Sequence, residues 1–372
     1  MTMPVAITSF GIVSAHGQGL EALATQLRAG RTGVRKLTAF PAEGLCSDLA
    51  AQAPVETKGD RALGLLKLAA EEAVGWREWA PSPRRAVLLG STKGSLPRVL
   101  ENGEVDPFAH LTAFLAERVR ARGPVRAIGA ACASSSVAIG QALQLIDAGV
   151  VDEAVVAGVE ALHPFVYAGF HALKAMSSKP AAPFDGGRMG LSMGEGAAVL
   201  VLESAGSAAA NRRKPLGWID GFGAASDAND QTAPHPEGDG LLRACQAALK
   251  SAQLTTKDIG RYHAHGTATV QNDAMEDAMC ARLFGPKGIP VCASKGSIGH
   301  TLGAAGVLDL IGCLAALDAK ELWPIVGLDR LDPKLSINPV TVIRQHPAAR
   351  ALVATAGFGG INAALLVRRH DA

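Results

Sequence analysis

Cys132 stands in GAACASSSVAIG, at the head of a run of small and apolar residues that reads as a buried helix. A cysteine there is either a nucleophile, its thiolate favoured by free N–H groups and the helix dipole, or a small core residue among alanines. His300 has a similar place in SKGSIGHTLGAAG, ahead of a helix that is apolar nearly all round. It either caps that helix or offers an imidazole. Lys295, upstream of it, reads as a surface lysine or as an amine able to form a Schiff base. Asp309 falls within the apolar helix, where a carboxylate needs a partner. Lys295 and His300 are the available cations, so one buried polar network is expected. In RYHAHGTATVQNDAMED, His263 and His265 share a strand face. They are a metal pair, or one structural and one functional histidine. No further ligand cluster has convincing spacing, so no metal is expected. Asp273 and Glu276 read as charges at a helix N-terminus and as structural acceptors.

These residues need an alternating framework to hold them. Val5–Val13, Ala86–Leu89, Glu153–Ala157 and Ala197–Leu202 read as strands. Arg61–Val74, Phe108–Arg120 and Ser134–Ile146 read as helices. The alternation predicts an α/β fold. SAGSAAANRRKP, residues 204 to 215, is the natural seam, with small residues, a basic cluster and a proline. Two echoes cross it. GEGAAVLVLES resembles GGINAALLVRR, and the segment from Cys132 resembles the segment from His300. Two related halves around one site explain both; chance likeness of Gly/Ala-rich segments is the alternative.

The bulk properties narrow the classes. Of 372 residues, 48% are hydrophobic and 19% charged, which describes a globular chain and not a disordered one. A net charge of +2 gives no support to wholesale nucleic-acid binding. The opening MTMPVAITSFGIVSAHG lacks the basic and apolar regions of a signal peptide and reads as a first strand. No apolar run reaches the ~18 residues of a membrane span. The six cysteines have no metal-type pairing, and so large a chain needs no disulfide framework. A cytoplasmic protein with free thiols is expected.

ACASSSVAIG, PFDGGRMGLSMGEGAAVLVLE, HGTATVQNDAMED, SKGSIGHTLGAAG and GFGGINA together resemble, in order, the motif series of the beta-ketoacyl-acyl-carrier-protein synthases. The resemblance runs from ITSFGIVSAHG to the C-terminus. It implies the thiolase-like fold, two duplicated α/β halves in a five-layer αβαβα sandwich, here divided as residues 1–210 and 211–372. It implies Cys132 as nucleophile, His265 and His300 as the paired histidines, Lys295 as the supporting lysine with Asp309 behind it, and Phe358 as the gate of the pocket. Thr267, Thr269 and Gly359 fall where a pantetheine arm is held. The implied reaction is decarboxylative condensation of a Cys-bound acyl chain with a malonyl thioester, adding two carbons. It needs no cofactor beyond the phosphopantetheine of acyl-carrier protein. A homodimer is implied, with a heterodimer of two ketosynthase-like chains as the variant.

There are departures from the pattern. Ala268 replaces Gly or Ser, and Ala356 replaces a phenylalanine. Asp309 replaces Glu and is expected to reach Lys295 less well. The segment from Gly94 to Cys132 is short, which leaves chain-length preference open. A chain-length-factor-like partner and a cysteine hydrolase are the rival readings. The retained Cys132, His265, His300 and Lys295 oppose the first. Arg212, Arg213 and Lys214, the densest basic cluster, are the candidate docking site for an acidic carrier protein; an ordinary solvated charge run is the alternative.

Overall fold

The computed structural model describes residues 3–372. Met1 and Thr2 of the opening stretch lie outside the described residues. The strand expected at Val5–Val13 is β1 (Val5–Ser14). Four more strands on the path of the main sheet follow in the first half: β2 (Arg85–Gly90), β3 (Val125–Ile128), β4 (Glu153–Glu160) and β5 (Gly196–Ser204). The second half contributes β6 (Gly217–Ser226), β7 (Arg261–His263), β8 (Val291–Cys292), β9 (Arg350–Gly357) and β10 (Ile361–Arg369). They lie in one sheet, in the order β8-β7-β9-β10-β6-β1-β5-β4-β2-β3.

The path repeats itself. Counted within each half, the order from the outer edge is third, second, fourth, fifth, first, and it occurs twice. In both halves the fifth strand runs antiparallel to its two neighbours, and the outer three are mutually parallel. The halves meet where β1 and β6 pair antiparallel over Val5–Ile7. GEGAAVLVLES and GGINAALLVRR supply the fifth strand of each half. The first echo is therefore structural.

Helices complete the layers, and seven of them frame the sheet and the site. They are α1 (Arg61–Val74), α2 (Ala109–Arg118), α3 (Ser134–Asp147), α4 (Pro164–Ala172), α5 (Asp239–Ala252), α6 (Val270–Phe284) and α7 (Ala305–Asp318). Both α3 and α7 come after the third strand of their half, which makes the second echo structural too. The strands alternate. Ala86, Leu88, Ala154 and Val156 face a central core with Ile139 of α3 and Leu308 of α7. Val87, Leu89, Val155 and Ala157 face the other way, onto α1 and α2. The outer face of the second half packs on α5 and α6. Successive strand residues point to opposite faces, so a sheet covered on both sides reads as nearly continuous apolar sequence. The result is five layers, αβαβα, of the thiolase-like kind. Because α7 lies in the middle layer it is buried all round, with only Ala315 and Asp318 outside the core. Its approach to α3 requires Gly306, where a Cβ would fall 2.0 Å from Ser136 Oγ. Among the described residues no helix is long and apolar enough to cross a membrane.

Candidate active site

β3 ends at Ile128 and α3 begins at Ser134, which leaves a tight turn to carry Cys132. Ala131 takes φ +47°, a region L-residues seldom occupy. Ser134 Oγ steadies the turn: it donates to the Ala131 carbonyl (2.6 Å) and accepts from the Ala130 amide (2.9 Å). The turn aims the thiol inward, and Cys132 is 5% exposed. The expectation of a thiol lowered by the helix N-terminus is corrected here. Burial pushes Cys132 up to about 11, with Glu160 adding to the rise. Lys295, the Phe358 backbone amide and Lys93 offset it only in part.

His300 Nε2 lies 3.1 Å from Cys132 Sγ. Main-chain bonds pin the histidine, whose amide donates to the Ser192 carbonyl (2.7 Å) and whose carbonyl accepts from Gly194 (3.0 Å). His265 stands edge-on to His300, ring centroids 5.1 Å apart at 84°. Glu276 clamps the loop beneath it, accepting from the amides of His265 (2.7 Å) and Gly266 (2.6 Å), from Tyr262 Oη (2.7 Å) and from Asn272 (2.9 Å). Glu276 is thus a structural acceptor, as is Asp273, which accepts from Phe184 and Ala268 amides. Burial, then Lys295, lowers both histidines, His300 to about 3 and His265 well below its usual value. Both are neutral imidazoles at physiological pH, and Nδ1 of each is buried without a partner.

Lys295 Nζ donates to Asp309 Oδ2 at 2.7 Å, with both side chains 1% exposed. The shorter carboxylate therefore reaches the lysine. Ser294 Oγ donates to the other oxygen. Burial alone would raise Asp309; Lys295 and His263 reverse this and hold it well below the usual carboxylate range. The single network expected of Lys295, Asp309 and His300 is not what forms. His263 (3.8 Å) is the histidine beside Asp309, and His300 turns to the thiol. Of the two readings of His263 and His265, the structure matches one structural and one functional histidine: His263 stands beside Asp309 and His265 beside His300. The donor atoms of Cys132, His265 and His300 instead lie within 4.8 Å of one another.

These three side chains border a cavity of about 470 Å³, along with Thr267, Thr269, Phe358 and Gly359. The threonine hydroxyls are 2.9 Å apart, and Thr269 caps α6. Phe358 stacks on Phe170 of α4 (5.7 Å, 24°). Ala356 also borders the space, which a phenylalanine there would narrow. Leu173, Met189 and Val270 border it too and are exposed apolar residues, which places them at its rim. Lys174 is the one charged side chain among the cavity's described residues. Sequence reasoning missed Phe170 and Lys174, for which no local signal exists. It also missed Glu160, and there a signal did exist: a carboxylate ending the buried run of β4 needs donors. Glu160 accepts from Ser91, Thr92 and Lys93.

The basic cluster at the seam lies elsewhere. Arg213 pairs with Glu153, at the start of β4, and with Glu203. Cys132 follows the opposite, C-terminal end of the parallel strand β3. The length of β4, about 25 Å for its eight residues, separates the two. Arg213 is a structural ion-pair residue remote from the cavity.

Two family models match the chain: "Beta-ketoacyl synthase, N-terminal domain" over residues 101–208, and "Beta-ketoacyl synthase, C-terminal domain" over 216–329. The chain is 32% identical to the putative polyketide beta-ketoacyl synthase 1 of Streptomyces cyaneus, covering 99% of this chain and 98% of that one. It is also 32% identical to 3-oxoacyl-[acyl-carrier-protein] synthase 2 of Rhizobium meliloti (strain 1021), covering 98% and 99%. Among solved structures, a beta-ketoacyl synthase from Burkholderia phymatum superposes with TM-score 0.88 at 31% identity, over 99% of each chain. The ishigamide ketosynthase/chain length factor superposes with TM-score 0.90 at 29% identity, over 99% of this chain and 100% of that one. With relatives matched along nearly their whole length and a fold doubled around one buried cysteine, this chain belongs to the beta-ketoacyl synthase family and is an acyltransferase.

Proposed function

We propose that Cys132 carries the acyl chain and that His265 and His300 stabilise the enolate of a malonyl thioester. The observation that carries this is the convergence of the three donor atoms within 4.8 Å, all buried, beside a 470 Å³ cavity. In the first half-reaction the Cys132 sulfur attacks the carbonyl of an acyl-pantetheine thioester. The pantetheine C–S bond breaks, and its sulfur takes the thiol proton. In the second, the C–C bond to the malonyl carboxylate breaks and carbon dioxide leaves. The electron pair passes into an enolate whose oxygen accepts hydrogen bonds from the two imidazoles. A neutral imidazole keeps one N–H to donate, and in a dry site such a bond counts for more than in water. The enolate carbon then attacks the acyl-Cys132 carbonyl, the C–S bond breaks with its electron pair going to the sulfur, and the thiolate takes one proton from solvent. The product is a beta-ketoacyl thioester two carbons longer.

Lys295 and Asp309 act on this site from behind, and Thr267, Thr269 and Gly359 are read as holding the pantetheine arm, with Phe358 as its gate. Cysteine and two histidines are also metal-type donors. The contact of 3.1 Å between His300 and Cys132 is shorter than the ~3.5 Å that tetrahedral zinc at about 2.1 and 2.3 Å imposes on its ligands. The substrates arrive on acyl-carrier protein, docking at the rim that holds Lys174, and no further cofactor is required. A cytoplasmic location fits such partners. The edge strand β3 exposes Val125, Arg126 and Ala127, which supports pairing with a second copy or a ketosynthase-like chain. The division of the halves near residue 210 falls between β5 and β6.

Mixing the protein with acyl- and malonyl-acyl-carrier protein and weighing the products tests the reading. A beta-keto chain longer by two carbons is expected. Free acid would mark a hydrolase, and no product without a second chain would mark a partner subunit.

A further inference from the structure

Arg261 opens β7 and is 1% exposed. Its guanidinium meets one protein acceptor, the Ala316 carbonyl, at a long 3.4 Å. Nε and the other terminal nitrogen have no partner. A buried cation without a counter-charge is costly. Beside it lies a small cavity of about 20 Å³, bordered by Arg261, His263, Cys292, Cys313 and Trp323. That is room for one water or one small ion.

Among the described residues no carboxylate borders this space. His263 Nε2 is buried without a hydrogen-bond partner. Burial pushes Cys292 up to about 11 and Cys313 up to about 12, so both remain thiols. The Asp309 carboxylate, 3.8 Å from His263, is already engaged by Lys295 and Ser294. The Trp323 indole donates to Glu321 (2.9 Å). What remains is a buried pocket with two nitrogens of a guanidinium and one of an imidazole left unpaired.

We propose that this pocket binds a small monovalent anion of the halide class, held by the Arg261 guanidinium with His263 Nε2 as second donor. The site lies among β7, β8 and α7, beside the Lys295–Asp309 pair and outside the substrate cavity. An anion there neutralises Arg261 and holds His263 in place next to Asp309. It does not depend on which acyl chain the protein accepts.

Crystals of the full chain soaked in sodium bromide test this directly. An anomalous bromine peak within hydrogen-bond distance of Arg261 is expected; a bromine-free site holding only water overturns the proposal. In solution, the melting temperature should be higher by about 2 °C or more in saturating chloride or bromide than in sodium gluconate of equal ionic strength, gluconate being too large for the pocket. The difference should vanish in Arg261→Leu. Equal melting temperatures in the wild type, or an undiminished halide effect in Arg261→Leu, overturn it. If Arg261→Leu does not fold, the wild-type bromide peak decides.

Discussion

Nε2 of His300 lies 3.1 Å from Sγ of Cys132, and both groups are electrically neutral at rest. Burial raises the thiol to about 11 and lowers the imidazole to about 3, so no proton passes between them in the free enzyme. The pair is therefore unlike a thiolate–imidazolium couple, and its reactivity must respond to pH differently.

Alkylation of Cys132 by iodoacetamide should rise about tenfold per pH unit from pH 7 to 10, without the plateau near neutrality of a pre-formed thiolate. Cys46 is exposed and must be replaced by Ser first, since the other cysteines are buried and it alone would compete from the surface. A plateau below pH 8, read by mass spectrometry of the labelled peptide, would contradict the direction found here. Cys132→Ala should take up no acyl group.

Replacing His265 or His300 by Ala should slow malonyl decarboxylation by ~100-fold or more while acyl loading of Cys132 falls less. The histidines also bear on stability, with a definite sign. Unfolded histidine takes a proton near 6.5; in the native state His300 refuses it until about 3. Stability is thus unaffected above pH 6.5 and is lost as pH falls below it, by ~1.4 kcal/mol per pH unit for each such histidine. Urea midpoints between pH 7 and 4.5 should fall less steeply in His300→Gln than in the wild type.

Lys295→Met leaves Asp309 buried without its cation, and should cost about 3–5 kcal/mol in urea unfolding. The double variant Lys295→Met/Asp309→Leu should recover most of that loss. Because Lys295 is the strongest of the influences that lower Cys132, the alkylation profile of Lys295→Met should move further toward alkaline pH. An unmoved profile would show that the lysine does not act on the thiol.

Lys174→Glu should raise the KM for acyl-carrier protein by about tenfold at low salt, and leave turnover of a small pantetheine thioester nearly unchanged. The double variant Arg212→Glu/Lys214→Glu, on the remote seam, should leave both values alone. The opposite pattern in steady-state kinetics would return docking to the seam.

Much of this molecule could be read along the chain because the controlling forces are local. The apolar spacing of Arg61–Val74 marks α1 to the residue, and in the folded chain the Asp60 carboxylate caps the amides of Ala62 and Leu63. The two echoed segments could be matched because small residues are needed wherever α3 and α7 touch. Cys132, His265, His300 and Lys295 stood out as reactive types set in apolar or glycine-rich surroundings. Their partners did not stand out. His300 faces the thiol and His263 faces Asp309, a choice made by which strand ends converge from two halves of the chain. The direction of the Cys132 shift was misjudged for the same reason. A helix N-terminus is visible in sequence, whereas desolvation is the sum of every layer packed around the sulfur. Arg213 looked like free surface charge until the β5–β6 connection placed it over Glu153 and Glu203. Local propensity and pattern reside in neighbouring residues; electrostatics and burial arise from residues far apart in sequence, and only the folded chain brings those together.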